Sequence, residues 1–262
     1  WDYVDESVLS ASEVVRVCGY FPIASADEAE RALRSGLETL RENCPFEVGS
    51  LETSRRTVDG EDWNSVWRKF YRPIECGAVA VVPSWIEYTP AEGVHTIKMD
   101  PGMAFGTGEH ETTRICLALM QKKSVEGART ADLGTGSGIL AIAAAKLGAA
   151  SVYACDIDEK AVETARVNCA LNGTDNVTVE TADLLGGLSG RYDLITANIT
   201  ADILIRMSEG IIPFLADGAR LIVSGVILSR RDAVADAFAK RGLYVAEEMR
   251  DGEWCGFELG AR

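Results

Sequence analysis

The chain has 262 residues, 47% of them apolar and 25% charged, ordinary globular proportions that exclude a fibrous or intrinsically disordered chain. Acidic residues number 40 against 26 basic ones, a formal charge of −14. This disfavours sequence-independent binding to nucleic-acid phosphates and favours encounter with a basic partner.

No run of 18 apolar residues supplies a membrane span, and no basic-then-apolar segment opens the chain. The seven cysteines are scattered without a C-x-x-C, and there are two histidines, so neither a disulfide framework nor a metal site is expected. Reduced thiols in the cytoplasm are the expectation. The chain opens at Trp1 rather than Met, which suggests that sequence before it is missing.

In chain order, residues 27–43 (DEAERALRSGLETLREN) have the spacing of an amphipathic helix. Residues 47–58 read as extended, 61–70 as a short aromatic-bearing helix, and 73–86 as strands interrupted by Pro83. These make a small α+β segment with a junction near residues 90–100. The rest alternates between two periods. Strands are expected at 128–133, 151–158, 177–183, 192–199 and 219–227. Helices are expected at 112–121, 138–147, 158–173, 201–216 and 230–241. Asp158 and Gly173 suit the caps of one helix, and Asp251-Gly252 suits a hairpin turn in the tail. Apolar strands alternating with helices predict a doubly wound, mostly parallel α/β sheet with an antiparallel hairpin at its edge. Ligands bind such sheets at the carboxyl ends of the strands.

The chemistry-bearing residues fall at those ends. Asp132-Leu133-Gly134-Thr135-Gly136-Ser137-Gly138 lies between a strand and a helix, where glycines let a ligand approach the backbone. A dinucleotide fingerprint needs glycine at position 139, which is Ile139. The spacing G-x-G-x-G is that of the S-adenosylmethionine loop of class I methyltransferases. A turn without a ligand is the competing reading. Asp156 ends the second strand, where a carboxylate can accept both ribose hydroxyls; a solvated loop aspartate is the alternative. Asp183 ends the third strand and either accepts from an adenine amino group or caps a helix. Asn198 ends the fourth, in Thr196-Ala197-Asn198-Ile199-Thr200. Methylation of an amine needs a neutral nitrogen aimed along the methyl–sulfur bond, and an amide oxygen can accept an amine N–H and orient the lone pair. A helix cap is the alternative here too.

The cost of the neutral amine can be sized. Lysine's pKa of ~10.4 leaves about one part in a thousand uncharged near neutrality, a cost of ~4 kcal/mol. Desolvation beside a positive sulfonium lowers that pKa, so no dedicated base is required. The segment Met99 to Arg114 (MDPGMAFGTGEHETTR) is glycine-rich and is either a closing loop or an interdomain connector.

The runs DPGMAFGTGEHETTR, DLGTGSGILAIAAAKLGA, CDIDEKAVETARVN and TANI closely resemble the ribosomal protein L11 methyltransferase family, bacterial enzymes that methylate amino groups of the eleventh protein of the large ribosomal subunit. The resemblance covers residues 60–262. It implies a class I methyltransferase fold with a seven-stranded sheet. It also implies S-adenosylmethionine contacts at Thr113, Gly134, Asp156 and Asn198, with Gly136 in the same loop. Trimethylation of lysine ε-amines and of an N-terminal α-amine is implied as well. Residues 1–60 would then be part of a substrate-recognition domain, 61–99 a linker helix and strands, and 100–262 the catalytic domain of a monomer that binds no nucleic acid. Two departures stand out: Glu109 and Glu111 occupy positions where the family commonly has Thr and Pro, and the N-terminal domain is short. The competing functions are methylation of another protein lysine or a small amine, a nicotinamide-dependent oxidoreductase, and a non-catalytic ribosome-assembly module.

Overall fold

A computed structural model describes residues 17, 19, 21, 23–45, 48–57, 72–99 and 110–261. The expected helix at 61–70 and most of the glycine-rich segment 99–114 lie outside the described residues. The chain divides into two compact units, residues 1–70 and 71–262.

In the first unit, helix α1 (Ala26–Asn43) matches the amphipathic pattern. Asp27 and Glu28 in its first turn and Arg41 in its last complement the helix dipole. Arg55 pairs with Asp27 and Glu30. Residues 48–57, expected to be extended, form no strand.

The second unit opens with a small sheet, β1 (Ile74–Cys76), β2 (Val79–Pro83) and β3 (His95–Met99), in that order. β1 runs antiparallel to β2, and β2 parallel to β3. Pro83 ends β2 instead of interrupting it. The main sheet holds β4 (Arg129–Leu133), β5 (Ser151–Asp156), β6 (Val177–Thr181), β7 (Tyr192–Asn198), β8 (Leu215–Ile227), β9 (Leu243–Asp251) and β10 (Trp254–Ala261). Its order is β6-β5-β4-β7-β8-β10-β9. The first five of these are parallel, and β10 is antiparallel to both its neighbours. The hairpin turn is at Asp251-Gly252, with Gly252 at φ 57°.

Helices α2 (Glu111–Met120), α3 (Ile139–Lys146) and α4 (Glu159–Asn172) share one apolar core with β2 and β3. Helices α5 (Ala201–Ser208) and α6 (Arg231–Ala239) contribute to a second core, with Tyr192, Phe238 and Phe257. Strand alternation sends Ala131, Leu133, Ile195 and Ala197 into the second core. Their neighbours Asp132, Thr196 and Asn198 therefore face the α2 side.

The caps of α4 are those expected: Asp158 accepts from the Lys160 N–H, and Gly173 is left-handed at φ 62°. The helix expected over 201–216 is too long. It stops at Ser208, a short 3-10 turn holds Ile212–Phe214, and Leu215 already begins β8. Gly210 and Pro213 end the helical ladder although the apolar pattern runs on.

Candidate functional site

The carboxyl ends of β4, β5, β6 and β7 form one rim. β4 leads into the glycine loop, where Gly134, Gly136 and Gly138 all have positive φ (71°, 54° and 84°). Side chains are strained there, and a Cβ on Gly134 would run into Ile199. The amides of Gly134 and Thr135 both donate to the Cys155 carbonyl at 2.9 Å. From behind, Asn168 on α4 donates to the Ser137 carbonyl at 2.9 Å. The loop is thus held open by backbone bonds to β5 and by a buried amide.

Asp156 belongs to this scaffold. Its Oδ2 accepts the Gly136 N–H at 2.9 Å and its Oδ1 the Asp158 N–H at 3.0 Å. Each carboxylate oxygen keeps a lone pair for a diol. Asp183 holds the start of a 3-10 turn but makes no side-chain cap; its Oδ1 accepts from Arg206 at 3.3 Å across an exposed gap. Leu184, directly after it, has the left-handed φ of 46° that leucine seldom adopts.

Asn198 is half-buried at the end of β7, and its Nδ2 donates to the Thr113 hydroxyl at 3.4 Å. It does not cap α5, whose cap position is Thr200. Thr113 is 1% exposed in the first turn of α2, so its hydroxyl backs Asn198. His110 caps α2, its Nδ1 accepting the Thr112 N–H at 3.3 Å, and its ring meets Trp254 edge-on at 4.9 Å. The structure therefore joins Gly136 with Asp156 directly, holds Gly134 on the neighbouring Cys155 carbonyl, and joins Thr113 with Asn198. Ile199 bridges the two groups against Gly134. Asp183 shares the rim without touching the others.

Two residues with no role assigned from sequence belong to this arrangement. Asn168 is one. The other is Asp132, which precedes the loop and is 1% exposed, its carboxylate accepting from the hydroxyls of Thr135 and Thr196 at 2.6 Å each. Burial pushes its carboxyl above the ordinary aspartate value of 3.8, and the two hydroxyls and the Ala141 backbone N–H pull it back. The signal in the sequence was a charged residue inside an apolar strand. Cys155, beside the loop, is pushed up to about 12 by burial and supplies no thiolate near neutral pH. Among the described residues no cluster of His, Cys, Asp or Glu could hold a metal ion.

The sheet order, the glycine loop after β4 and the acid ending β5 define a class I methyltransferase. Residues 2–261 match the family described as ribosomal protein L11 methyltransferase (PrmA). The ribosomal protein L11 methyltransferase of Caldicellulosiruptor bescii is 42% identical over 257 residues, covering 97% of this chain and 83% of that protein. The one from Caldanaerobacter subterraneus subsp. tengcongensis is 41% identical over 256 residues, with coverage of 97% and 82%. The crystal structure of a ribosomal protein L11 methylase from Lactobacillus delbrueckii subsp. bulgaricus superposes with a TM-score of 0.70 at 36% identity, covering 73% of this chain and 100% of that one. The chain belongs to the ribosomal protein L11 methyltransferase family.

Proposed function

We propose that the chain transfers methyl groups from S-adenosylmethionine to lysine ε-amines, and to the N-terminal α-amine, of ribosomal protein L11. The cofactor supplies an electrophilic methyl on a cationic sulfur. Gly134 and Gly136 let its chain lie against the loop, Asp156 accepts its ribose hydroxyls, and Asp183 accepts from its adenine amino group. Asn198 holds the acceptor. Its amide nitrogen is committed to Thr113, which leaves the oxygen to accept an amine N–H and aim the nitrogen lone pair at the methyl. The amine loses its proton on entering a dry pocket beside a positive charge. The observation that carries this reading is the convergence of Gly136–Asp156 and Thr113–Asn198 on one rim.

Residues 1–60 serve substrate recognition in this reading, the strands of 61–99 connect, and 100–262 carry the chemistry. The enzyme acts as a monomer in the cytoplasm on a free basic protein, without binding nucleic acid or a membrane. The charge of −14 supports that choice of partner, and among the described residues no helix is long and apolar enough to cross a membrane. Calorimetry tests the cofactor half. S-adenosylmethionine should bind, with Kd weakened about tenfold or more in Asp156→Ala, the scale of losing charge-assisted hydrogen bonds. Binding of a nicotinamide dinucleotide in its place would overturn the reading.

A further inference from the structure

We propose that Asp132 is a positioning residue that locks the cofactor loop to the strand end carrying Asn198. The inference rests on the reading of Gly134–Gly138 as the cofactor loop and of Asn198 as the group that aligns the amine. β4 and β7 are paired from Thr130↔Leu194 to Asp132↔Thr196, and that last rung is where they part. Beyond it, β4 turns into the glycine loop while β7 runs on beside β8 to Asn198. Ile199 packs across the fork against Gly134, and Asp132 hydrogen-bonds to both of its arms. The Asp132 Oδ2 accepts from Thr135, which lies between the first two glycines of the loop. The Oδ1 accepts from Thr196, two residues before Asn198 and on the same face of the strand. Both contacts are 2.6 Å, the length of a hydroxyl donating to a carboxylate.

Burying a carboxylate is costly unless both oxygens are satisfied, and here each is satisfied by one half of the site. The half that holds the methyl donor and the half that aims the acceptor thus share a buried, hydrogen-bonded anchor. In-line transfer gives this consequence, because a misplacement of about 1 Å between reacting atoms can cost roughly 100-fold in rate. The two threonines report on different halves. Breaking the loop link should loosen the donor, and breaking the strand link should misdirect the acceptor.

The test measures cofactor Kd by calorimetry, kcat at saturating substrates, and thermal unfolding in the full chain. Thr135→Val is expected to weaken cofactor binding about tenfold and to lower kcat less than Thr196→Val does. Thr196→Val is expected to lower kcat by about thirtyfold and to change Kd less than Thr135→Val does. Asp132→Asn, which keeps the size but cannot accept from both hydroxyls, should combine the two defects. Thr135→Ser and Thr196→Ser, which keep the hydroxyl, should restore both values. A Thr196→Val enzyme with wild-type kcat overturns the inference. So do two valine variants that change Kd and kcat alike, in step with lost stability. A wild-type chain that binds no S-adenosylmethionine overturns instead the reading on which the inference rests, and the inference with it.

Discussion

In the proposed reaction Asn198 carries the most chemistry with the least charge. A neutral amide can orient an amine without stabilising its ammonium form, whereas a carboxylate in the same place would favour the protonated, unreactive state. Asn198→Ala should therefore lower kcat about 100-fold, the scale of a misaligned reacting atom, while the cofactor Kd stays within a few-fold. Asn198→Asp should keep part of the activity and shift its pH profile upward, because more alkaline conditions are needed to free the amine. Steady-state kinetics across pH checks both. The places of Asp156 and the glycine loop at the strand ends were legible from sequence, because a βα turn is local in sequence. Asp132 was not, because its role depends on Thr196, 64 residues away on a strand that only the sheet order makes its neighbour.

Among the elements, α2 links the core to the candidate site, since it packs in the first core and carries Thr113, the partner of Asn198. It is fastened at both ends. His110 caps its start. At its end, Arg220 on β8 donates to the carbonyls of Leu119, Met120 and Lys123 and pairs with the nearly buried Glu258 on β10. Removing one partner of a buried ion pair leaves the other uncompensated, at about 3–5 kcal/mol. Glu258→Ala should lower the melting temperature by about 10 °C in a calorimetric scan, given roughly 2–4 °C per kcal/mol for a domain of this size. The pair also sets a pH dependence. Burial alone would raise the Glu258 carboxyl, but Arg220 and Lys123 outweigh it and hold it below its ordinary value of 4.5. A carboxyl depressed in the folded state contributes stability that is fully present above its unfolded value and lost as pH falls below it. Wild-type stability should thus fall below about pH 4.5, and Glu258→Ala should show less of that acid loss. Elements read well where capping and period agree, as for α4 between Asp158 and Gly173. They read poorly at residues 209–216, where helical spacing of apolar side chains continues past Gly210 and Pro213 into a strand. The pairing of β7 with β4 rather than with its sequence neighbour β6 is a property of the sheet and has no local signal.

For the whole molecule the dominant feature is the charge of −14. A basic protein substrate should be drawn to such a surface, and screening should weaken that attraction, since the Debye length falls from ~10 Å at 0.1 M salt to ~3 Å at 1 M. Added salt is expected to lower kcat/KM for the protein substrate several-fold, mainly through KM, while cofactor affinity changes little. A substrate KM that does not respond to salt would remove charge from the account of recognition.

The proposed methyl transfer to the amines of ribosomal protein L11 can be read on the substrate itself. The experiment is to incubate the chain with labelled S-adenosylmethionine and unmethylated L11 and to locate the label by mass spectrometry. Several methyl groups are expected on lysine ε-amines and on the N-terminal amine of L11. An L11 that stays unlabelled while the chain binds the cofactor would overturn the proposed function.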